Sequence, residues 1–107
     1  MKRLLVIAAA AVSLFAHAQD YPGSKPITIV VPFAAGGPTD LVARQLGETM
    51  RKTMGGGANF VVENTAGAGG TIGATKVARA APDGHTLLWF HIGMAATPAL
   101  YKKIQYK

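Results

Sequence analysis

From Pro26 onward the hydrophobic residues fall into blocks that alternate between continuous runs and a helical repeat. Ile27-Thr28-Ile29-Val30-Val31-Pro32-Phe33 is β-branched and unbroken rather than alternating, the pattern of a strand buried on both faces. Ala34-Ala35-Gly36-Gly37 ends it. A helix is predicted from Pro38 and Thr39, with Asp40 in a first turn whose positive dipole end favours a carboxylate. Val42, Leu46, Met50 and Met54 recur every four residues and predict a core-facing stripe, with Leu41 and Ala43 beside it. Arg44, Glu48, Arg51 and Lys52 fall elsewhere on this helix, and Gly55-Gly56-Gly57 closes it.

The unit then repeats. Asn59 to Glu63 predicts a short strand, Asn64 to Gly70 a glycine-rich turn, and Thr71 to Ala81 a small-residue helix that offers Ile72, Val77 and Ala81 to the sheet. Ala81-Pro82-Asp83-Gly84 is a turn, and Thr86-Leu87-Leu88-Trp89-Phe90 predicts a third buried strand. After His91-Ile92-Gly93-Met94, Thr97 and Pro98 read as the cap and first residue of a further helix. Strand, helix, strand, helix, strand with short connections predicts an α/β fold, a parallel sheet with right-handed crossovers and flanking helices.

The first eighteen residues belong to a different pattern. Met1-Lys2-Arg3 is a basic start, Leu4 to Phe15 an apolar run of about twelve residues, and Ala16-His17-Ala18 a small-x-small cleavage site. The run is too short for a bilayer core that needs about 20 residues. The order predicts a signal peptide, 1–18, with cleavage after Ala18 and a periplasmic mature chain, 19–107. Lys2 and Arg3 leave with it, so the formal charge of +6 becomes +4. That mild basicity suits an anionic ligand. The basic residues are scattered with no aromatic interleaving, so no nucleic-acid partner is expected. The chain has no cysteine despite an oxidising destination, so it must be held by its core alone. A segment of roughly 90 residues buries too little surface to be more than marginal, and the expectation is a truncated N-terminal part of a larger domain.

Ligands of open parallel sheets bind beyond the carboxyl ends of the strands. Three turns meet that description: 34–40, 64–71 and 91–96. The first two are rich in glycine and alanine, and none of the three contains lysine or arginine. Small residues let backbone N–H groups approach a ligand, and helix N-termini add partial positive charge, so two or three such turns can hold carboxylate oxygens without a cationic side chain. Other motifs fail. GAGGTIG, 67–73, places its third glycine one position late for a dinucleotide fingerprint, and the strand at 86–90 ends without an acidic residue. No Gly-Lys-Ser/Thr is present. His85 and His91 have no carboxylate or cysteine at ligand spacing, so neither metal nor cofactor is expected. His85 reads as a turn residue, His91 as a strand-end residue open to a pocket role. No nucleophile, base and orienting group assemble here, and the chain does not read as an enzyme.

Four ordered motifs resemble a known family. KPITIVVPFAAGGPTDLVAR (25–44), VVENTAGAGGTIGA (61–74), VARAAPDGHTLL (77–88) and TPALYKKIQY (97–106) are similar to the opening of Bug/TctC solute-binding receptors of tripartite tricarboxylate transporters. Thr65-Ala66 stands where that family usually has Arg-Pro, and His85 where it has Tyr. The resemblance implies a periplasmic-binding-protein type II fold, of which this chain is the first part of lobe one. It also implies capture of a small carboxylate and delivery to membrane permease subunits. By motif, carboxylate binding maps onto Ala35, Gly36, Gly37 and Asp40, and onto Ala68, Gly69, Gly70 and Thr71. His91 and Gly93 join them from the third turn. Asp40 is assigned to ordering its turn. Two other classes stay open: an exported α/β enzyme with catalytic residues beyond Lys107, and a stand-alone anion-binding or sensing protein.

Overall fold

A computed structural model describes residues 20–106, so the predicted leader and its cleavage site lie outside the described residues. Strand β1, Ile27–Val31, is central, with β2, Phe60–Asn64, on one side and β3, Thr86–Leu88, on the other. Both pairings are parallel, Ile29 lying opposite Val62 in β2 and Leu87 in β3. Helix α1, Pro38–Thr53, connects β1 to β2. A short 3₁₀ turn, Ala68–Gly70, leads into α2, Thr71–Ala78, which connects β2 to β3. Helix α3, Gly93–Leu100, follows. This is the α/β parallel sheet with flanking helices that the periodicity predicts.

The two crossovers run in opposite directions across β1, so right-handed connections put α1 and α2 on opposite faces. The contacts agree. Gly47 of α1 lies over Ile29 and Phe60, whereas Gly73 of α2 lies against Pro32, which continues the other face of β1. Ile29, Val31 and Ala43 form the core on the α1 side, joined by Phe33, Phe60, Val62 and Trp89.

The packing faces differ from the predicted ones. In α1 the buried residues are Asp40, Ala43 and Gly47, while Leu41 and Val42 are 59% and 50% exposed and Met54 is also exposed. In α2 the buried residues are Gly73 and Ala74, while Ile72 is 52% exposed and Ala81 lies beyond the helix. Small side chains let both helices sit close to the sheet. A Cβ on Gly73 would come 2.7 Å from Pro32 Cβ and 3.0 Å from the Thr65 carbonyl. Strand β3 is shorter and less buried than predicted, with Leu87 36% exposed.

Helix ends follow local chemistry. Gly55 takes φ +83° after α1, and the N–H groups of Gly55 and Gly56 reach the carbonyls of Lys52 and Arg51, the paired bonds of a Schellman ending. Helix α3 begins at Gly93, not at the predicted Pro98, which lies inside it. Proline has no N–H for the Met94 carbonyl four residues back, and the Thr97 hydroxyl donates to that oxygen instead, at 2.9 Å.

Candidate functional site

At the carboxyl edge of the sheet the first turn leaves β1 through Pro32 and Phe33 and enters α1 at Gly37. Its centre is Asp40, only 2% exposed. Asp40 Oδ2 accepts the Gly36 N–H at 2.8 Å and the Arg44 Nε–H at 3.0 Å. Oδ1 accepts the Asn64 amide at 2.9 Å. Asn64, the last residue of β2, also donates to the Phe33 carbonyl at 3.1 Å and accepts from Arg44 Nη2 at 3.2 Å. The Arg44 guanidinium, then the Gly36 N–H and the Asn64 amide, hold the Asp40 carboxyl down at about 2, against 3.8 ordinarily. A buried carboxylate with three donors and one cation is satisfied. Through Gly36 and Asn64 these bonds tie the turn after β1 to the end of β2.

The second turn carries positive φ at Gly67, Ala68, Gly69 and Gly70 in succession. Ala68, at φ +46°, is held there by bonds on both sides: the Gly70 N–H reaches the Gly67 carbonyl at 2.9 Å, and the Thr71 hydroxyl and N–H both reach the Ala68 carbonyl. Gly69 combines φ +61° with a covering ring, because a Cβ there would overlap the Tyr101 hydroxyl. Local chain conformation and a neighbour therefore both demand glycine at 69.

The third turn closes on the first two through aromatic rings. His91 stacks on Phe33 with centroids 4.5 Å apart, and Phe90 meets both rings nearly edge-on. The Phe90 ring also occupies the space beside Gly70. His91 Nδ1 accepts the Gly93 N–H at 2.9 Å, which leaves the proton of the neutral ring on Nε2 at an exposed position. The three turns picked out in the sequence thus lie together on one edge.

Several predicted backbone donors are engaged inside the protein: those of Gly36, Gly70, Thr71 and Gly93. The first bond of α1 is Leu41 N–H to Gly37, so Thr39 and Asp40 keep N–H groups without an intrahelical acceptor. Among the described residues the N–H groups of Ala68 and Gly69 also have no internal acceptor. Ala35, Gly36, Ala68 and Gly69 are exposed, and Gly37 and Thr71 half-buried. The sequence reading did not single out Arg44, Asn64, Phe33 or Tyr101. The i,i+4 spacing of Asp40 and Arg44 was the available signal for the first.

A cavity of about 550 Å³ lies at the opposite edge, lined by residues that include Tyr21, Lys25, Asp83 and His85. Its polar groups pair with one another: Lys25 with Asp83, the Tyr21 hydroxyl with the Gly84 carbonyl, and His85 Nδ1 with the Pro26 carbonyl. Among the described residues no group of His, Asp and Glu is placed to hold a metal ion, and no helix is long and apolar enough to cross a membrane.

This parallel α/β sheet with flanking helices is that of a periplasmic-binding-protein fold. Three solved structures share it. One, described as the periplasmic binding protein BugD, is 58% identical over 78% of this chain and 27% of its own, with a TM-score of 0.73. MatC (Rpa3494) from Rhodopseudomonas palustris with bound malate is 52% identical over 78% of this chain and 28% of its own, TM-score 0.71. R. palustris Rpa4515 with adipate is 36% identical over 82% of this chain and 29% of its own, TM-score 0.74. The family described as tripartite tricarboxylate transporter family receptor matches residues 42–107. The chain belongs to that family. It spans between 23% and 34% of the length of the curated relatives it matches.

Proposed function

We propose that this chain is the amino-terminal part of an exported receptor that captures a small carboxylate for a tripartite tricarboxylate-type permease. The observation that carries the reading is the pairing of two small-residue turns at the ends of β1 and β2, locked to each other by Asp40, Arg44 and Asn64. One ligand carboxylate lies between turns 34–40 and 67–71. Its donors are the N–H groups of Thr39 and Asp40 on one side and of Ala68 and Gly69 on the other, directly or through ordered water. The exposed Nε2–H of His91 faces the rest of the ligand, and Gly93 allows the close bend beneath that ring. Malate and adipate in two related structures support a small carboxylate as the ligand class. The proposed role is binding without turnover, in keeping with a family of transporter receptors. A periplasmic location follows from the predicted leader and from the relative described as periplasmic.

The test is a hybrid receptor in which residues 20–106 replace the matching segment of the R. palustris malate-bound protein. Calorimetric titration should show malate binding and no binding of the uncharged malate diamide. A folded hybrid that takes no malate, beside a parent that does, would overturn the reading.

A further inference from the structure

The chain has three tyrosines, and the hydroxyls of two are spent inside the protein. Tyr21 donates to the Gly84 carbonyl at 2.6 Å, and the Tyr106 hydroxyl bonds the hydroxyl of buried Thr97. The hydroxyl of the third, Tyr101, has no such partner among the described residues, although the residue is only 37% exposed. A tyrosine that covers most of its ring and leaves its hydroxyl unpaired keeps a polar tip available. That tip lies on the second turn. It fills the space where a Gly69 side chain would begin, with Cζ and Cε2 at 3.1 and 3.3 Å from that point.

Several contacts hold the ring there. Tyr101 ends α3, its N–H reaching the Thr97 carbonyl at 3.0 Å while its own backbone turns extended. Thr97 is in turn tied by its hydroxyl to Met94 and Tyr106. Helix α3 itself packs on the 68–70 turn. The helix that starts from the third turn thus delivers the tyrosine at its end to the second. The second turn has room for a side-chain donor. It contains no lysine or arginine, its Thr71 hydroxyl is spent on the Ala68 carbonyl, and its Thr65 hydroxyl is spent on Glu63. The N–H groups of Ala68 and Gly69 remain, and a carboxylate accepts more bonds than those two. A phenol adds an uncharged donor whose bond to a carboxylate oxygen is short and strong. Phenylalanine would cover Gly69 equally well, so the hydroxyl is the part that covering does not explain.

We infer that Tyr101 is a further ligand-binding residue, its hydroxyl donating to the carboxylate at 67–71 beside the Gly69 N–H. The inference rests on the carboxylate reading above and adds a donor from outside the two turns. It is tested in the hybrid receptor by Tyr101→Phe, which keeps the covering ring and removes only the oxygen. Calorimetry should show malate bound at least tenfold more weakly, with the thermal midpoint of the ligand-free hybrid unchanged. In a crystal structure of the unsubstituted hybrid with malate, the tyrosine oxygen should lie within about 3 Å of a malate carboxylate oxygen. Malate binding by Tyr101→Phe equal to that of the unsubstituted hybrid would overturn the inference. So would weaker binding accompanied by a lowered midpoint, since the hydroxyl would then serve the fold. A hybrid that takes no malate before any substitution would remove the carboxylate reading together with this inference, whereas the two Tyr101→Phe results count against the inference alone.

Discussion

Asp40 shows how one side chain ties its own turn to the end of a neighbouring strand. Its carboxylate accepts from Gly36 behind it, Arg44 one turn ahead and Asn64 on the neighbouring strand. Replacement by Asn removes the charge that Arg44 faces and converts one acceptor into a donor aimed at another donor. Asp40→Asn in the hybrid receptor is expected to lower the thermal midpoint and weaken malate at least tenfold, about 1.4 kcal/mol, in calorimetry. Unchanged binding would remove Asp40 from the account. Acid provides a second check. The carboxyl sits at about 2 when folded and near 3.8 ordinarily, so its contribution is complete above pH ~4 and is lost as pH falls from there toward 2. Glu48, held at about 2 chiefly by Arg51, follows the same course. Denaturation midpoints measured between pH 6 and pH 2 should fall over that window, and the fall should shrink in Asp40→Asn. The role of Asp40 in its own turn was legible from its place at a helix start. The link to Asn64 was not, because 24 residues and a crossover separate the two.

At the scale of the elements, the sequence announces the strands and the course of the chain better than it announces which helix face packs. The unbroken β-branched run of 27–31, the glycines after α1 and the repeat of strand and helix all correspond to observed features. The four-residue stripe of α1 misled because large apolar residues dominate a periodicity, whereas Ala43 and Gly47 read as gaps. Those gaps are the contact surface. Two glycine replacements separate close packing from mere helix propensity. At Gly47 a Cβ would meet Phe60 Cβ at 3.3 Å and the Ile29 tip at 3.5 Å, so Gly47→Ala trades mild crowding against about 1 kcal/mol of helix propensity and should be near neutral. At Gly73 the obstruction is Pro32 and a backbone carbonyl, which cannot swing away. Gly73→Ala should destabilise by about 1–3 kcal/mol in urea titration of the hybrid receptor. Equal effects at both sites would contradict this account of the packing. The early start of α3 was hidden for a related reason: Pro98 reads as a first helical residue, and only the Thr97 hydroxyl on the Met94 carbonyl makes it tolerable inside.

For the molecule as a whole, the buried apolar residues among those described are few: Ile27, Ile29, Val30, Val31, Ala43, Ala58, Ala74 and Tyr106. Three strands and no disulfide leave the isolated segment 19–107 with little reserve. Its unfolding free energy is expected to fall below about 5 kcal/mol, the lower end for ordinary domains, and a sharp two-state denaturant transition above that value would contradict the expectation. Export is checked by the intact mass of periplasmic material, which should begin at Gln19; retention of Met1 would count against the leader. The central claim is that backbone groups of two turns, set by Asp40, cradle a carboxylate with no cationic side chain in either turn. A crystal structure of the hybrid receptor with malate tests it most directly. One malate carboxylate should lie between 34–40 and 67–71, its oxygens within about 3 Å of backbone nitrogens of both turns or of waters bonded to them. Malate held instead by a lysine or arginine side chain, with both turns empty, would contradict the account.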